Sequence, residues 1–164
     1  MKPKNFYVID ASSLIELQRH NPVDVYPSVW ASLEDLIKNG FLVSHKEVYK
    51  EISRKDNQLS EWAKKQKGFF KDPTNKQIEI IKDILKKYPS IVKIDVQNSA
   101  DPFIIALAVE MTTTKQKTLF PVKRIVVTEE KLRGTQVKIP FICKYYNIDC
   151  IGVIEMFRTE GLKF

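Results

Sequence analysis

The sequence predicts an α/β fold: one domain over residues 1–164, built on a central, mainly parallel sheet of about five strands flanked by helices. Two observations carry this expectation. Strand-like runs at 6–9, 41–43, 91–94, 125–128 and 149–152 alternate with longer amphipathic stretches, the pattern of strand-helix-strand units. In addition, 164 residues that are 43% hydrophobic can bury one sizeable core, and no repeat or low-complexity stretch marks a second domain.

The first strand, "FYVI", stops at Asp10 with no turn residue after it. A carboxylate so close to a buried strand is costly unless an amide, a cation or a metal ion pairs with it. A short helix then begins near Ser13, with Glu16 completing a capping box and Pro22 closing it. Val29, Trp30, Leu33, Leu36 and Ile37 share one face of a second helix, and Gly40 is its stop. After "FLVS", Ser44 and Glu47 read as a second capping box ahead of a stripe formed by Val48 and Ile52. Glu51 lies a turn further on and has no capping role.

Two amphipathic helices are expected between Ser60 and Tyr88. The first carries Trp62, Phe69 and Phe70; the second follows a Thr74 to Gln77 box and carries Ile78, Ile81, Leu85 and Tyr88, with "DPTN" as the turn between them. Phe103 to Val109 is apolar all round, which predicts a deeply buried helix, and Pro102 at its first position makes Asp101 the expected N-cap. "TTTKQKTLFPVK" reads as a polar loop before the strand "RIVVT", which ends at Glu129 and Glu130.

The net charge of +7 and pI of about 9.3 favour an anionic partner, of which a nucleic-acid backbone is the largest. No run approaches the length of a membrane helix, and "MKPKN" leads into a strand rather than a signal peptide, so a cytoplasmic protein is expected with no membrane partner. Cys143 and Cys150 form no CxxC pair, and His20 and His45 are isolated. Zinc sites, disulfide scaffolds and a nucleophilic triad are therefore not expected.

In a parallel sheet, the carboxyl ends of the strands and the helix starts after them share one edge, where ligands bind. Asp10, Glu51, Asp101 and Glu130 can all converge there. Crowded carboxylates need a cation, and oxygen-only ligands select a hard ion, Mg²⁺ or Mn²⁺, which commonly acts on phosphates. The segments "VIDASSLIEL", "EVYKEI", "SADPFIIALA" and "IVVTEEK" resemble, in order, the four acidic motifs of PIN-domain nucleases. In size and order the chain is most similar to the VapC-type ribonuclease toxins of toxin-antitoxin pairs.

The resemblance implies a Mg²⁺- or Mn²⁺-dependent ribonuclease with RNA as substrate, and an antitoxin protein and a homodimer as further partners, with the helices between Ser60 and Tyr88 as their surface. It assigns Asp10, Glu51, Asp101 and Glu130 as catalytic metal ligands, with Ser12 and Thr128 supporting them. The family commonly has Asp where this chain has Glu130, and Glu129 beside it is an alternative fourth acid. An aspartyl-phosphate phosphatase would need a second Asp at the position held by Ser12. The remaining alternative is a PIN-like module that binds RNA or protein without catalysis.

Overall fold

The computed structural model describes residues 4–91, 100–113, 122–132, 134 and 136–164. Tyr7, Val8 and Ile9 are fully buried, so the apolar run of the first strand, β1 (Lys4–Ile9), is covered on both faces. It is followed by α1 (Ala11–His20), α2 (Pro27–Lys38), β2 (Leu42–His45), α3 (Lys46–Lys55) and α4 (Asn57–Lys64). Next come β3 (Phe70–Lys71), α5 (Asn75–Lys87), a single 3₁₀ turn at Pro89–Ile91, and α6 (Asp101–Thr113). β4 (Val122–Val127), α7 (Ile139–Tyr145), β5 (Asp149–Ile151) and α8 (Val153–Thr159) complete the order.

All strand pairs among the described residues are parallel, in the order β3-β2-β1-β4-β5. β1 is central, pairing with β4 from Lys4 opposite Val122 to Ile9 opposite Val127, and with β2 at Tyr7 and Val8. The expected α/β class and parallel sheet are thus what the chain forms. α6 is the buried helix foreseen at this position: Ile104 to Val109 are all buried, and it lies against β1, β2 and β4 while packing on α5 and α7. No helix among the described residues is long and apolar enough to cross a membrane.

Several local expectations are corrected. The strand expected at 91–94 falls outside the described residues from position 92 onward, as do residues 114–121 of the expected polar loop. A strand instead forms at Phe70–Lys71, pairing with Ser44 and His45, where a helix carrying Phe69 and Phe70 was expected. Its cause is Gly68: at φ +74 it reverses the chain after α4 has ended at Lys64, burying Phe69 and delivering Phe70 to the sheet edge. α5 has the expected Thr74 cap, which accepts from the Gln77 amide, but its buried face is Gln77, Ile80, Ile81 and Ile84, and Ile78 is 39% exposed.

The other two expected boxes, at Ser13 and at Ser44, are replaced. α1 starts at Ala11 because Asp10, in extended conformation, accepts the Ala11 amide; Glu16 pairs with Arg19 and His20 instead. Ser44 belongs to β2 and donates its hydroxyl to the Ile9 carbonyl at 2.7 Å. The cap of α3 is His45, whose Nδ1 accepts from the Glu47 amide at 3.0 Å. With Nδ1 accepting, the ring proton sits on Nε2 and is donated to Gln77 Oε1 at 2.9 Å, and Gln77 Nε2 in turn donates to Glu110. His45 is therefore no bystander. It ties the helix that carries Glu51 to α5 and α6.

Burial is the main cause that pushes the His45 pKa below its ordinary value. A pKa lowered by folding means that His45 contributes stability above its unfolded value of about 6.5, and that this contribution is lost as pH falls through the lower folded value. His45→Asn keeps a cap of similar quality without a titrating ring. In thermal melts, the parent should lose stability relative to His45→Asn between about pH 7 and pH 5. Parallel pH profiles would show that His45 does not act as the neutral cap described.

Candidate functional site

Parallel strands all end on one side of the molecule, and the acidic residues collect there because each follows a strand or opens the next helix. Asp10 follows β1, Glu51 lies on α3 directly after β2, Asp101 begins α6, and Glu129 and Glu130 follow β4. All five line one open cleft of about 630 Å³. Ser12 lines it too, as do three cations, Lys55, Lys131 and Lys138.

Asp10 is the innermost of these acids, at 3% exposure. Its Oδ1 accepts the Ala11 amide at 2.7 Å, and its Oδ2 accepts two hydroxyls, Ser12 at 2.9 Å and Thr128 at 3.1 Å. Each hydroxyl is itself held from behind: the Glu129 amide donates to Ser12 at 3.0 Å and the Glu130 amide to Thr128 at 3.1 Å. A hydroxyl has one proton, and both protons are spent on Asp10. The two relays polarise in the same direction and bind the loop after β4 to the end of β1.

Even so, burial raises the Asp10 pKa to about 6, with the charges of Glu130 and Glu51 adding to the rise, while the Ser12 and Thr128 hydroxyls oppose it. The central carboxylate therefore senses both neighbouring glutamates.

The two adjacent glutamates differ in what holds them. Glu129 Oε1 accepts the Ser13 hydroxyl at 3.0 Å and the Val153 amide at the start of α8 at 2.9 Å. A side chain on Gly152 would bring a Cβ to 3.3 Å from Glu129 Oε2, so glycine there admits the carboxylate. Glu129 is thus tied to a helix start. Glu130 accepts the Ile139 amide at the start of α7 through Oε2. Glu51 is paired with Lys55 at 2.9 Å, one helical turn away, and Glu47 with Lys50 at 2.8 Å; of the two glutamates on α3, Glu51 alone lines the cleft.

Asp101 differs from its expected place by one residue. The Ala100 carbonyl accepts the Ile104 amide at 3.1 Å, so Ala100 holds the capping position and Asp101 is already helical. Asp101 stands in the first turn, where the helix dipole favours a negative charge.

The donor set is all oxygen, which suits a hard divalent cation rather than zinc or copper. Among the described residues, however, no three His, Cys, Asp or Glu groups stand close enough together to enclose an ion. Lys55 supplies the positive charge beside Glu51. Sequence reasoning missed two contributors, Ser13 and His45. Ser13 is fully buried one residue past the supporting Ser12, and nothing in the local pattern distinguishes two neighbouring serines until the fold brings Glu129 to one of them.

Residues 7–164 match the family described as Domain of unknown function (DUF4411), and the chain belongs to that family. No curated protein and no solved structure is detectably similar to it.

The raised pKa of Asp10 makes a prediction for the metal-free protein. Folding raises this pKa from an unfolded value near 3.9, so the contribution of Asp10 to stability is full below about pH 4 and lost as pH rises through about 6. Asp10→Asn removes the buried charge. Chemical denaturation in a chelating buffer should show the variant more stable than the parent by on the order of 1–3 kcal/mol at pH 8, with the difference shrinking towards pH 4. A variant less stable than the parent at pH 8 would mean that the relays outweigh the burial cost.

Proposed function

We propose that this member of the DUF4411 family is a metal-dependent ribonuclease that hydrolyses RNA phosphodiester bonds. The observation that carries the reading is the lining of a single cleft by Asp10, Glu51, Asp101 and Glu130, with a buried Asp10 whose charge is raised in energy by the neighbouring glutamates. Such a constellation is relieved by a cation, and Mg²⁺ or Mn²⁺ matches the oxygen donors. Asp10, Glu51, Asp101 and Glu130 would hold it; when bound, it supplies charge neutralisation at the scissile phosphate and acidification of water.

The chain's own residues have separable tasks in this reading. Ser12 and Thr128 fix Asp10 in one rotamer and keep it from turning away from the cleft. Glu129, held to the start of α8, positions the loop that presents Glu130. Lys55, Lys131 and Lys138 draw the phosphate backbone to a cleft whose floor is acidic, which gives binding that weakens with salt. Lys55 also neutralises Glu51 before the cation arrives.

The resemblance to VapC-type toxins extends the proposal to an antitoxin partner, a homodimer and a cytoplasmic location. The helices expected to serve those partners spend most of their apolar side chains on the core: Trp62, Ile80, Ile81 and Ile84 are buried, and Ile78 is the large aliphatic residue of α5 left exposed. A second reading, a PIN-like module that binds RNA or protein without cutting, is favoured by one observation, that no three acids among the described residues stand within reach of a common ion.

Cleavage of single-stranded RNA in Mn²⁺ separates the two. Glu51→Gln, Asp101→Asn and Glu130→Gln should each lower kcat by about 100-fold or more while thermal melting temperatures stay near the parent value. Glu129→Ala should do the reverse in part, costing about 1–2 kcal/mol of stability through the abandoned Val153 amide. Absence of metal-dependent cleavage in the parent would leave the binding module as the account, and cleavage that survives all three charge-removing substitutions would overturn the assignment of these acids.

A further inference from the structure

Beside the acidic cleft lies a second pocket of about 440 Å³, between the ends of β4 and β5 and helix α7. The two cavities share Glu129, Glu130 and Lys131, so they form neighbouring parts of one groove along the carboxyl edge of the sheet. The second pocket differs from the first in chemistry. It has an apolar wall from Leu132, Pro140 and Ile151, cations at Lys131 and Lys144 beside the shared Glu129 and Glu130, Asp149 already paired with Lys123, and the amide side chain of Asn147 on a turn whose φ is +56°. Leu132, 48% exposed, gives this wall an accessible apolar side chain.

We infer that this pocket is a nucleotide subsite: it takes a base and ribose of a single-stranded RNA next to the phosphate held at the acidic cleft. The inference rests on the ribonuclease reading for the identity of the nucleic acid, and on its own pocket for the location. The apolar wall of Leu132, Pro140 and Ile151 offers apolar contact to a base, Asn147 offers a donor and an acceptor to a base edge, and Lys144 and Lys131 meet the flanking phosphates. A mononucleotide has all three features in one residue, whereas an acidic peptide would use the lysines and leave the apolar wall uncovered. Single-stranded rather than paired RNA follows because a base must leave its stack to enter a pocket.

The pocket contains its own reporter. Cys150 lines it and is partly accessible, while Cys143, the other cysteine, is fully buried in α7. A 2′-O-methyl RNA hexamer, which resists cleavage, should slow alkylation of Cys150 by iodoacetamide about fivefold or more near saturation, read by mass spectrometry. Lys144→Glu, an exposed change in the last turn of α7, should weaken hexamer binding by about tenfold in fluorescence anisotropy and abolish the protection at the same RNA concentration.

Hexamer binding that leaves the Cys150 rate unchanged would overturn the subsite, and so would absence of binding. Protection of Cys150 without any metal-dependent cleavage of ordinary RNA would uphold the subsite while removing the ribonuclease reading. The two claims therefore fail separately.

Discussion

The arrangement of this molecule's edge depends on one buried carboxylate. Asp10 ends the central strand, begins α1, and receives the hydroxyls of Ser12 and Thr128 on one oxygen. Through those hydroxyls, the amides of Glu129 and Glu130 are fixed in turn. A single acidic side chain thus sets the register of α1 against β1 and fixes the loop that presents the fourth acid. Burying it with two glutamates in range has an energetic cost that folding tolerates, since its pKa stands near 6. In the proposed function this repulsion is relieved by a cation, which links the fold to the proposed chemistry.

The rest of the cleft is consistent with that constraint. A chain of net charge +7 places six acids, Glu16 among them, around one cleft with three lysines, so the local sign opposes the global one. In the proposed function, the phosphates of a polyanion attracted by the net charge would meet repulsion at the cleft floor unless a cation intervenes. Lys55 meets part of that need from within the chain by pairing with Glu51. The same groove continues into a less polar pocket past Glu130, where the chemistry suits a base rather than a phosphate.

Much of the fold was legible in the sequence because long-period signals survive tertiary context. The apolar runs of β1 and β4 and the all-round apolar α6 required no knowledge of their neighbours. What failed were short-range inferences that another element overruled. Ser44 resembles an N-cap until the Ile9 carbonyl takes its hydroxyl, and His45 resembles an isolated ring until Gln77 and Glu47 are beside it. The two-residue β3 is too short to leave a periodic pattern, and its one local signal was Gly68. At the site, the positions of Asp10, Glu51, Asp101 and Glu130 on one edge followed from strand and helix ends, whereas the division of labour between Glu129 and Glu130 did not. That division depends on two later helix starts, Ile139 nine residues past Glu130 and Val153 24 residues past Glu129.

The central claim is that these acids form a cation site, and the most direct test is calorimetric titration of Mn²⁺ into the metal-free protein at neutral pH, without RNA. The account predicts saturable binding that is lost in Glu51→Gln and in Asp101→Asn, and strengthened in Lys55→Ala because Glu51 is then released from its ion pair. Mn²⁺ uptake that is absent in the parent, or equal in the parent and both charge-removing variants, would contradict it.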